Sequence, residues 1–277
     1  MIRAFSLIEL LVSIAIIALL VGLLIPSLGA ARATARSTAC IANQRSMMSA
    51  WTMYANDFRD RAVPLAYFSE ADIGTGEQVF WFGTHGTSTS PPDHSRGFLM
   101  AYLDSGLSAR SVLECAAQPW GSYRAQGPYT AENINGRGWP TSTYGYNGYY
   151  LSPEKTPGWS QTIGHRPWRR LFEIERPEAL FVFADAMLPT STLRNSALLD
   201  PPRLFQNGDW VPNPTPTTSF RHSGITNAAG ADGSVRSIRA EPSDLVYANA
   251  RIGSAGTDPA LHYVPDAAAW RPAAGSH

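Results

Sequence analysis

The sequence carries little charge for its length. Charged residues make up 16% of its 277 residues, against about 25% in an ordinary soluble domain. The 22 basic residues balance the 22 acidic ones, so the chain cannot hold nucleic acid by bulk charge. A basic cluster spans residues 165–170, and on a neutral chain it indicates a solvated surface patch. We therefore expect no nucleic-acid partner.

The short motifs of several large enzyme classes are also missing. The chain has no P-loop, no G-x-G-x-x-G, no G-x-S-x-G and no H-E-x-x-H. Its 23 glycines, 21 prolines and 11% aromatic residues argue against a helical bundle. With 44% hydrophobic residues, the composition favours a turn-rich fold that buries a sizeable core.

The apolar residues are concentrated at the N-terminus. The segment from Phe5 to Leu28 contains one charged residue, Glu9. As a helix rising about 1.5 Å per residue it would be roughly 36 Å long, enough to cross a hydrocarbon core of about 30 Å. A secretory signal peptide is the alternative, with Arg3 as its basic region, but its apolar core is usually only about 7–15 residues. A carboxylate within the segment costs about 2.5–3.5 kcal/mol in lipid, which indicates that Glu9 has a partner.

This N-terminus, MIRA-FSLIELLVSIAIIALLVGLLIP, resembles that of type IV pilins and type II secretion pseudopilins. By that resemblance, residues 1–4 are a leader that prepilin peptidase removes between Ala4 and Phe5, and Phe5 becomes an N-methylated N-terminus. Glu9 then stands at the fifth mature position, and Pro26 falls where many pilins have a helix-kinking proline. The family usually has glycine before the cut, whereas this chain has Ala4.

The resemblance implies a structural subunit that assembles into a type IV pilus or a type II secretion pseudopilus. Its partners would be prepilin peptidase, other pilin or pseudopilin subunits and the inner membrane, which it would cross once with its head outside the cytoplasm. After assembly it would lie in a surface or periplasmic filament. Glu9 would pair with the new N-terminal amine of a neighbouring subunit, which is largely cationic because its reference pKa is about 7.7–8.0. We expect no catalytic activity and no cofactor. The alternative is an exported binding protein or hydrolase held by an uncleaved N-terminal anchor.

Three further motifs resemble those of a large group of pilin-like proteins abundant in planctomycetes. The first is His222-x9-Asp232-Gly233, near the C-terminus. The second is Cys40-Ile-Ala-Asn-Gln, just past the apolar segment. The third is Leu-Glu-Cys115 followed by Tyr-Gly-Tyr-Asn147.

The residues of the C-terminal motif favour a structural role. Asp232-Gly233 predicts a β-hairpin with a type I′ turn, because both central positions of that turn need positive φ. We expect His222 to hydrogen-bond the hairpin loop and fix it. The alternative is a metal site formed by His222, Asp185 and Asp232, since imidazole and carboxylate are suitable ligands. No closely spaced ligand pair supports it, and we expect no metal.

The two cysteines, Cys40 and Cys115, allow two interpretations. In an oxidising compartment they can form a disulfide, which would close a loop of about 75 residues and stabilise the fold by roughly 4 kcal/mol. The other interpretation is two buried free thiols.

The fold class expected is α+β, a long N-terminal helix packed on a C-terminal antiparallel sheet. A leader (1–4) would precede a transmembrane and assembly helix (5–28), its amphipathic continuation (29–58), a β-rich head (59–248) and a partly disordered tail (249–277). Apolar residues at three- and four-residue steps predict that one helix runs from Phe5 to about Asp57. The residues of this apolar stripe are Ile41, Met47, Met48, Trp51, Tyr54, Ala55 and Phe58.

Short elements are predicted beyond the helix. The strands are Gln78–Phe82, Ser111–Cys115, Ser142–Tyr146, Leu180–Ala184, Asn227–Ala231 and Ser234–Ile238. A short helix is expected at Gly97–Leu103, and loops at Gly83–Arg96 and Leu188–Ser219.

Overall fold

The structure, a computed structural model, describes most of the helix and the head. The described residues are 7–67, 78–85, 93–103, 111–118, 142–152, 169–189, 193–206, 209–256 and 262–265. Ala4 and Phe5, and His165 to Trp168 of the basic cluster, lie outside them.

A single long helix, α1 (Leu7–Asp57), opens the described chain and continues through Pro26. It ends at Asp57, as the apolar periodicity predicts. Its first half is exposed along its whole length, from Leu7 (81% exposed) to Leu28 (50% exposed). This part of α1 is long and apolar enough to span a membrane. Its second half buries one face in the head, and that face comprises Cys40, Gln44, Met47, Met48, Ala50, Trp51, Tyr54 and Ala55.

The buried face of α1 differs from the predicted stripe at both ends. Phe58 was expected to be buried but is 46% exposed, and it stacks on Tyr54 with ring centroids 4.2 Å apart. Ile41 is only half-buried. Gln44, a polar residue that is not part of the predicted stripe, is fully buried. The face of α1 that contacts the head is therefore rotated about the helix axis, relative to the predicted stripe, toward Cys40 and Gln44.

The head is built on a four-stranded antiparallel sheet with strand order β12-β11-β5-β4. Its strands are β4 (Tyr144–Tyr146), β5 (Phe181–Asp185), β11 (Ile225–Gly230) and β12 (Val235–Arg239). Strand β5 is buried along its whole length. Helix α1 packs against β5, β11 and β12, so the expected packing of helix on a sheet that contains the C-terminal hairpin is confirmed. This arrangement buries the apolar faces of both elements, which neither could do alone.

Smaller sheets and short helices complete the head. One sheet has β1 (Ala66–Tyr67), β2 (Gln78–Phe80) and β3 (Gly83–His85), and another has β10 (Thr218–Ser219), β13 (Leu245–Tyr247) and β14 (Ile252–Gly253). Two hairpins are β6 (Met187–Pro189) with β7 (Leu193–Asn195), and β8 (Arg203–Gln206) with β9 (Asp209–Pro212). A short helix α2 (Gly148–Leu151) follows β4, and single 3-10 turns occur at His94–Arg96, Met100–Tyr102, Leu171–Glu173, Pro242–Asp244 and Ala248–Ala250.

Several predicted elements are corrected. The segment Ser111–Cys115 forms turns and not a strand, and Gly97–Leu103 is reduced to a 3-10 turn. The two predicted loops contain β3 and all or most of β6–β10. These strands are only two to four residues long, too short to show an alternating pattern.

The C-terminal region contributes to the core where the structure describes it. Strand β14 is buried, and Tyr263 is fully buried. The Tyr263 hydroxyl accepts a hydrogen bond from the amide of Ala255 (2.9 Å) and contacts the Thr218 hydroxyl (3.0 Å). The described part of residues 249–277 is thus packed onto the head.

Candidate functional site

Residues from the three motifs that resemble those of the planctomycete-type group meet where α1 contacts the head. The buried side chain of Gln44 donates a hydrogen bond from Nε2 to the carbonyl of Asn227 in β11 (2.8 Å). The preceding residue, Asn43, donates from Nδ2 to the carbonyl of Glu114 (3.0 Å) and to the hydroxyl of Tyr144 (3.3 Å). The motifs, which lie far apart in sequence, therefore form one junction between helix and sheet.

The segment that carries Cys115 is held by hydroxyl and backbone hydrogen bonds. The amide of Cys115 donates to the hydroxyl of Thr143 (2.6 Å), and the amide of Thr143 donates to the carbonyl of Leu113 (3.0 Å). Thr143 immediately precedes β4, so these bonds fix Cys115 against the edge strand of the sheet.

His222 is positioned by a tight turn immediately before β11. Its amide donates to the carbonyl of Ile225 (3.1 Å), and the amide of Ile225 donates to the carbonyl of His222 (3.2 Å). The two residues between them, Ser223 and Gly224, both have positive φ (57° and 85°). This is the type I′ geometry, in which glycine carries no steric cost. The turn aims the imidazole at α1 and β5.

The predicted type I′ turn at Asp232-Gly233 is wrong. Only Gly233 has positive φ (83°), and its amide donates to the carbonyl of Gly230 (3.0 Å), which gives a type I turn followed by a left-handed glycine. The carboxylate of Asp232 accepts hydrogen bonds from the amide (3.0 Å) and hydroxyl (2.7 Å) of Ser234. Asp232 is thus an exposed turn residue at the opposite end of β11 from His222.

Four buried side chains that can bind a metal converge at the junction. The Sγ atoms of Cys40 and Cys115 and a ring nitrogen of His222 all lie within 4.8 Å of one another. The Nε2 atom of His222 is 3.3 Å from Cys115 Sγ and 3.3 Å from Asp185 Oδ2. Both cysteines are free thiols. We call these four residues the junction cluster; it contains His222 and Asp185 of the metal alternative, but both cysteines in place of Asp232.

The surroundings of the junction cluster shift the pKa values of its members. Burial lowers the pKa of His222, but hydrogen bonds to Asp185 and Cys40 outweigh that effect and raise the pKa to about 9. Burial raises the pKa of the Cys115 thiol well above 9.0, and the side chains of Cys40 and Asp185 add to the rise. The protonated imidazole of His222 is therefore favoured beside Asp185 and Cys40, and the neutral thiol of Cys115 is favoured by its burial.

One pocket of about 340 Å³ opens next to the cluster. His222 lines it, together with Arg221, Arg36 and Ser37. His222 belongs to both the pocket wall and the cluster, so the pocket lies directly beside the cluster.

The sequence-predicted assembly residues lie elsewhere, on the exposed first half of α1. Glu9 and Pro26 are both exposed there. The hydroxyl of Ser13 donates to the backbone carbonyl of Glu9 (2.7 Å). Within the residues that the structure describes, the apolar half of α1 and the junction cluster are therefore separate candidate sites.

The sequence analysis did not predict that Gln44 is buried against the sheet. It also did not predict that the two cysteines lie together with His222 and Asp185. Cys40 and Gln44 are four residues apart on one helix face, and this spacing was the available signal for a polar contact with the head.

Comparison with known protein families finds no matching model, and comparisons with curated proteins and with solved structures find no match either.

Proposed function

We propose that this protein is a pilin-like structural subunit that prepilin peptidase processes and that assembles through its N-terminal helix into a type IV pilus or a type II secretion pseudopilus. In this proposal it is held in the inner membrane before assembly, with the head outside the cytoplasm. Neighbouring pilin or pseudopilin subunits replace the lipid in the filament.

The observation that carries the proposal is the division of α1 into two halves with opposite surroundings. Every residue from Leu7 to Leu28 is exposed, whereas residues from Cys40 to Ala55 supply part of the core of the head. An apolar surface of that extent is not stable in water and must be covered by lipid or by other chains. A continuous helix joins the covered segment directly to the head, as filament packing requires.

Glu9 distinguishes an assembly helix from a simple anchor. It lies three residues into α1, among exposed apolar side chains such as Leu7, Ile8 and Leu10. A carboxylate there costs about 2.5–3.5 kcal/mol in a membrane. A helix that serves only as an anchor has no interaction that offsets this cost. In a filament the carboxylate can pair with the cationic N-terminal amine of a neighbouring subunit. Because the two charges stabilise each other only when they meet, this pair fixes the alignment of the two subunits.

Filament formation by a Glu9 variant tests the proposal. The full chain would be co-expressed with a prepilin peptidase and an assembly system, and sheared filaments would be quantified by sedimentation and immunoblotting. We expect Glu9→Leu to insert into the membrane and fold normally but to reduce filament yield at least about tenfold, since about 1.4 kcal/mol per subunit contact is a factor of ten.

The matched control is Ser13→Ala, one helical turn from Glu9. This variant also removes a polar group from the apolar segment but leaves the charge in place, and it should assemble like the wild type. Wild-type filament yield from Glu9→Leu would contradict the pairing role. An equal loss in both variants would show that the segment tolerates no substitution, and would also contradict it.

A further inference from the structure

We propose that the junction cluster binds one structural zinc ion, with Cys40, Cys115 and His222 as ligands and Asp185 in the fourth position. The ion would fasten α1 to the head. This inference stands independently of filament assembly.

The separations among the two sulfurs and the imidazole nitrogen are compatible with a tetrahedral zinc site, and the Asp185 carboxylate lies beside them. With Zn–S of about 2.3 Å and Zn–N and Zn–O of about 2.0–2.2 Å, neighbouring ligand atoms are roughly 3.3–3.8 Å apart. Here His222 Nε2 is 3.3 Å from Cys115 Sγ and 3.3 Å from Asp185 Oδ2. All pairs among the two sulfurs and the imidazole nitrogen lie within 4.8 Å. Two cysteines with one histidine are among the donor sets that zinc prefers.

The arrangement around His222 Nε2 is better explained by a cation than by hydrogen bonds alone. One ring N–H can donate well to a single acceptor, yet Cys115 Sγ and Asp185 Oδ2 are equally close to the same nitrogen. Donor atoms that converge on one point from several elements are what a metal ion requires.

Asp185 supplies a second, independent observation. Its side chain is fully buried, and Oδ1 has no hydrogen-bond partner among the described residues. Oδ2 accepts a hydrogen bond from the amide of Asn227 (2.8 Å), which holds the carboxylate in place. A buried carboxylate oxygen without a partner is costly. Oδ1 is therefore the oxygen that would bind the zinc, while the Asn227 amide holds Oδ2 and so orients the carboxylate.

The ligands come from four separate parts of the chain. Cys40 is on α1, Cys115 follows a turn, Asp185 ends β5 and His222 precedes β11. A single ion would therefore cross-link the helix, the edge of the sheet and the hairpin. Four protein ligands leave no open position, which is typical of a structural and not a catalytic zinc. The adjacent pocket lined by His222 brings solvent next to the cluster.

The competing chemistry is a disulfide between the same two cysteines. A disulfide would remove both thiolates from the ligand set, so the two states exclude each other. In the structure both cysteines are free thiols that lie close to the imidazole of His222. A disulfide has no need of this third donor group, whereas a metal site does. The disulfide is one outcome of the test.

Full-length protein, purified in detergent under reducing conditions, would be stripped with EDTA and reloaded with zinc or cobalt(II). We expect one zinc per chain by inductively coupled plasma mass spectrometry. EDTA should lower the melting temperature, and added zinc should restore it. Cobalt(II) should give thiolate-to-metal charge-transfer absorption and the strong visible bands of tetrahedral coordination. Because Cys40 and Cys115 are the two cysteines of the chain, thiolate bands in the wild type show that at least one of them binds the metal.

Variants test two of the proposed ligands individually. Cys115→Ser should abolish the thiolate bands or weaken them strongly, and His222→Gln should reduce zinc content well below one per chain. The control is His262→Gln, because His262 contacts Phe181 and the carbonyl of Ala179 away from the cluster. This control should retain full zinc and unchanged cobalt bands.

Three results would overturn the proposal. The first is a Cys40–Cys115 disulfide without metal, detected by alkylation and mass spectrometry of protein isolated without reductant. The second is reduced protein that binds no stoichiometric zinc after reloading. The third is zinc content unchanged in both Cys115→Ser and His222→Gln, which would indicate an adventitious ion only.

Discussion

Replacing Trp51 by alanine tests the packing of α1 on the head. Trp51 is fully buried in the main core, which also contains Tyr146 and Phe183. Truncating a buried tryptophan to alanine removes its transfer free energy and leaves a cavity, and costs about 3–5 kcal/mol. Since a domain is stabilised by only about 5–15 kcal/mol in total, this loss should lower the urea midpoint of unfolding substantially.

Phe58 on the same helix is the matched control. It is 46% exposed and contributes chiefly its stacking on Tyr54, so Phe58→Ala should cost about 0.5–1.5 kcal/mol. Both free energies would be measured by urea unfolding of the full chain in detergent, followed by near-ultraviolet circular dichroism. A loss in Trp51→Ala no larger than that in Phe58→Ala would refute the argument that this face anchors the helix.

Three further variants test processing, electrostatics and packing. Ala4→Asp should block cleavage before Phe5 but leave membrane insertion intact, which immunoblotting of membrane fractions for precursor and mature chains would show; normal cleavage would contradict it. Burial raises the pKa of Asp200 from 3.8 to about 7, so the folded chain keeps a proton that the unfolded chain releases, and stability should fall as pH rises from about 4 to 7. Asp200→Asn should remove this dependence and raise stability at about pH 8 by about 1–3 kcal/mol in thermal unfolding; an unchanged pH profile would contradict it. A Cβ on Gly145 would lie 2.6 Å from the carbonyl oxygen of Leu198, so Gly145→Ala should cost about 1–3 kcal/mol, and an unchanged melting temperature would contradict the close strand contact.

The sequence predicts the large elements of the fold because their signals are local. Helical periodicity with no proline between Pro26 and Pro64 places the end of α1 at Asp57, where the structure has it. The hairpin of β11 and β12 follows from two apolar runs around Asp232-Gly233. Its turn type is wrong in the prediction because Asp232 accepts hydrogen bonds from Ser234 and stays at negative φ, while Gly233 alone adopts the left-handed conformation.

The short strands and the junction cluster depend on contacts between distant residues. Strands β8 and β9 pair with each other over four residues each, which is too few to show a periodicity. Gln44 is buried because its amide bonds to the Asn227 carbonyl, a partner 183 residues away. In the same way, Cys115 and His222 are separated by 107 residues and meet only in the folded head. Residue type identifies such groups as candidates, but the fold decides which of them meet.

The N-terminal residue of the mature protein, determined by mass spectrometry of chains isolated from the membrane, tests the proposed function most directly. A pilin-like precursor should yield a chain that begins at Phe5 with a methylated α-amine, because removal of the four-residue leader creates the cation that pairs with Glu9. An intact Met1 would indicate an uncleaved anchor, and a start near residue 32 or 34, at the small residues Ala31 and Ala33, would indicate cleavage of a secretory signal peptide. Either result would contradict the account.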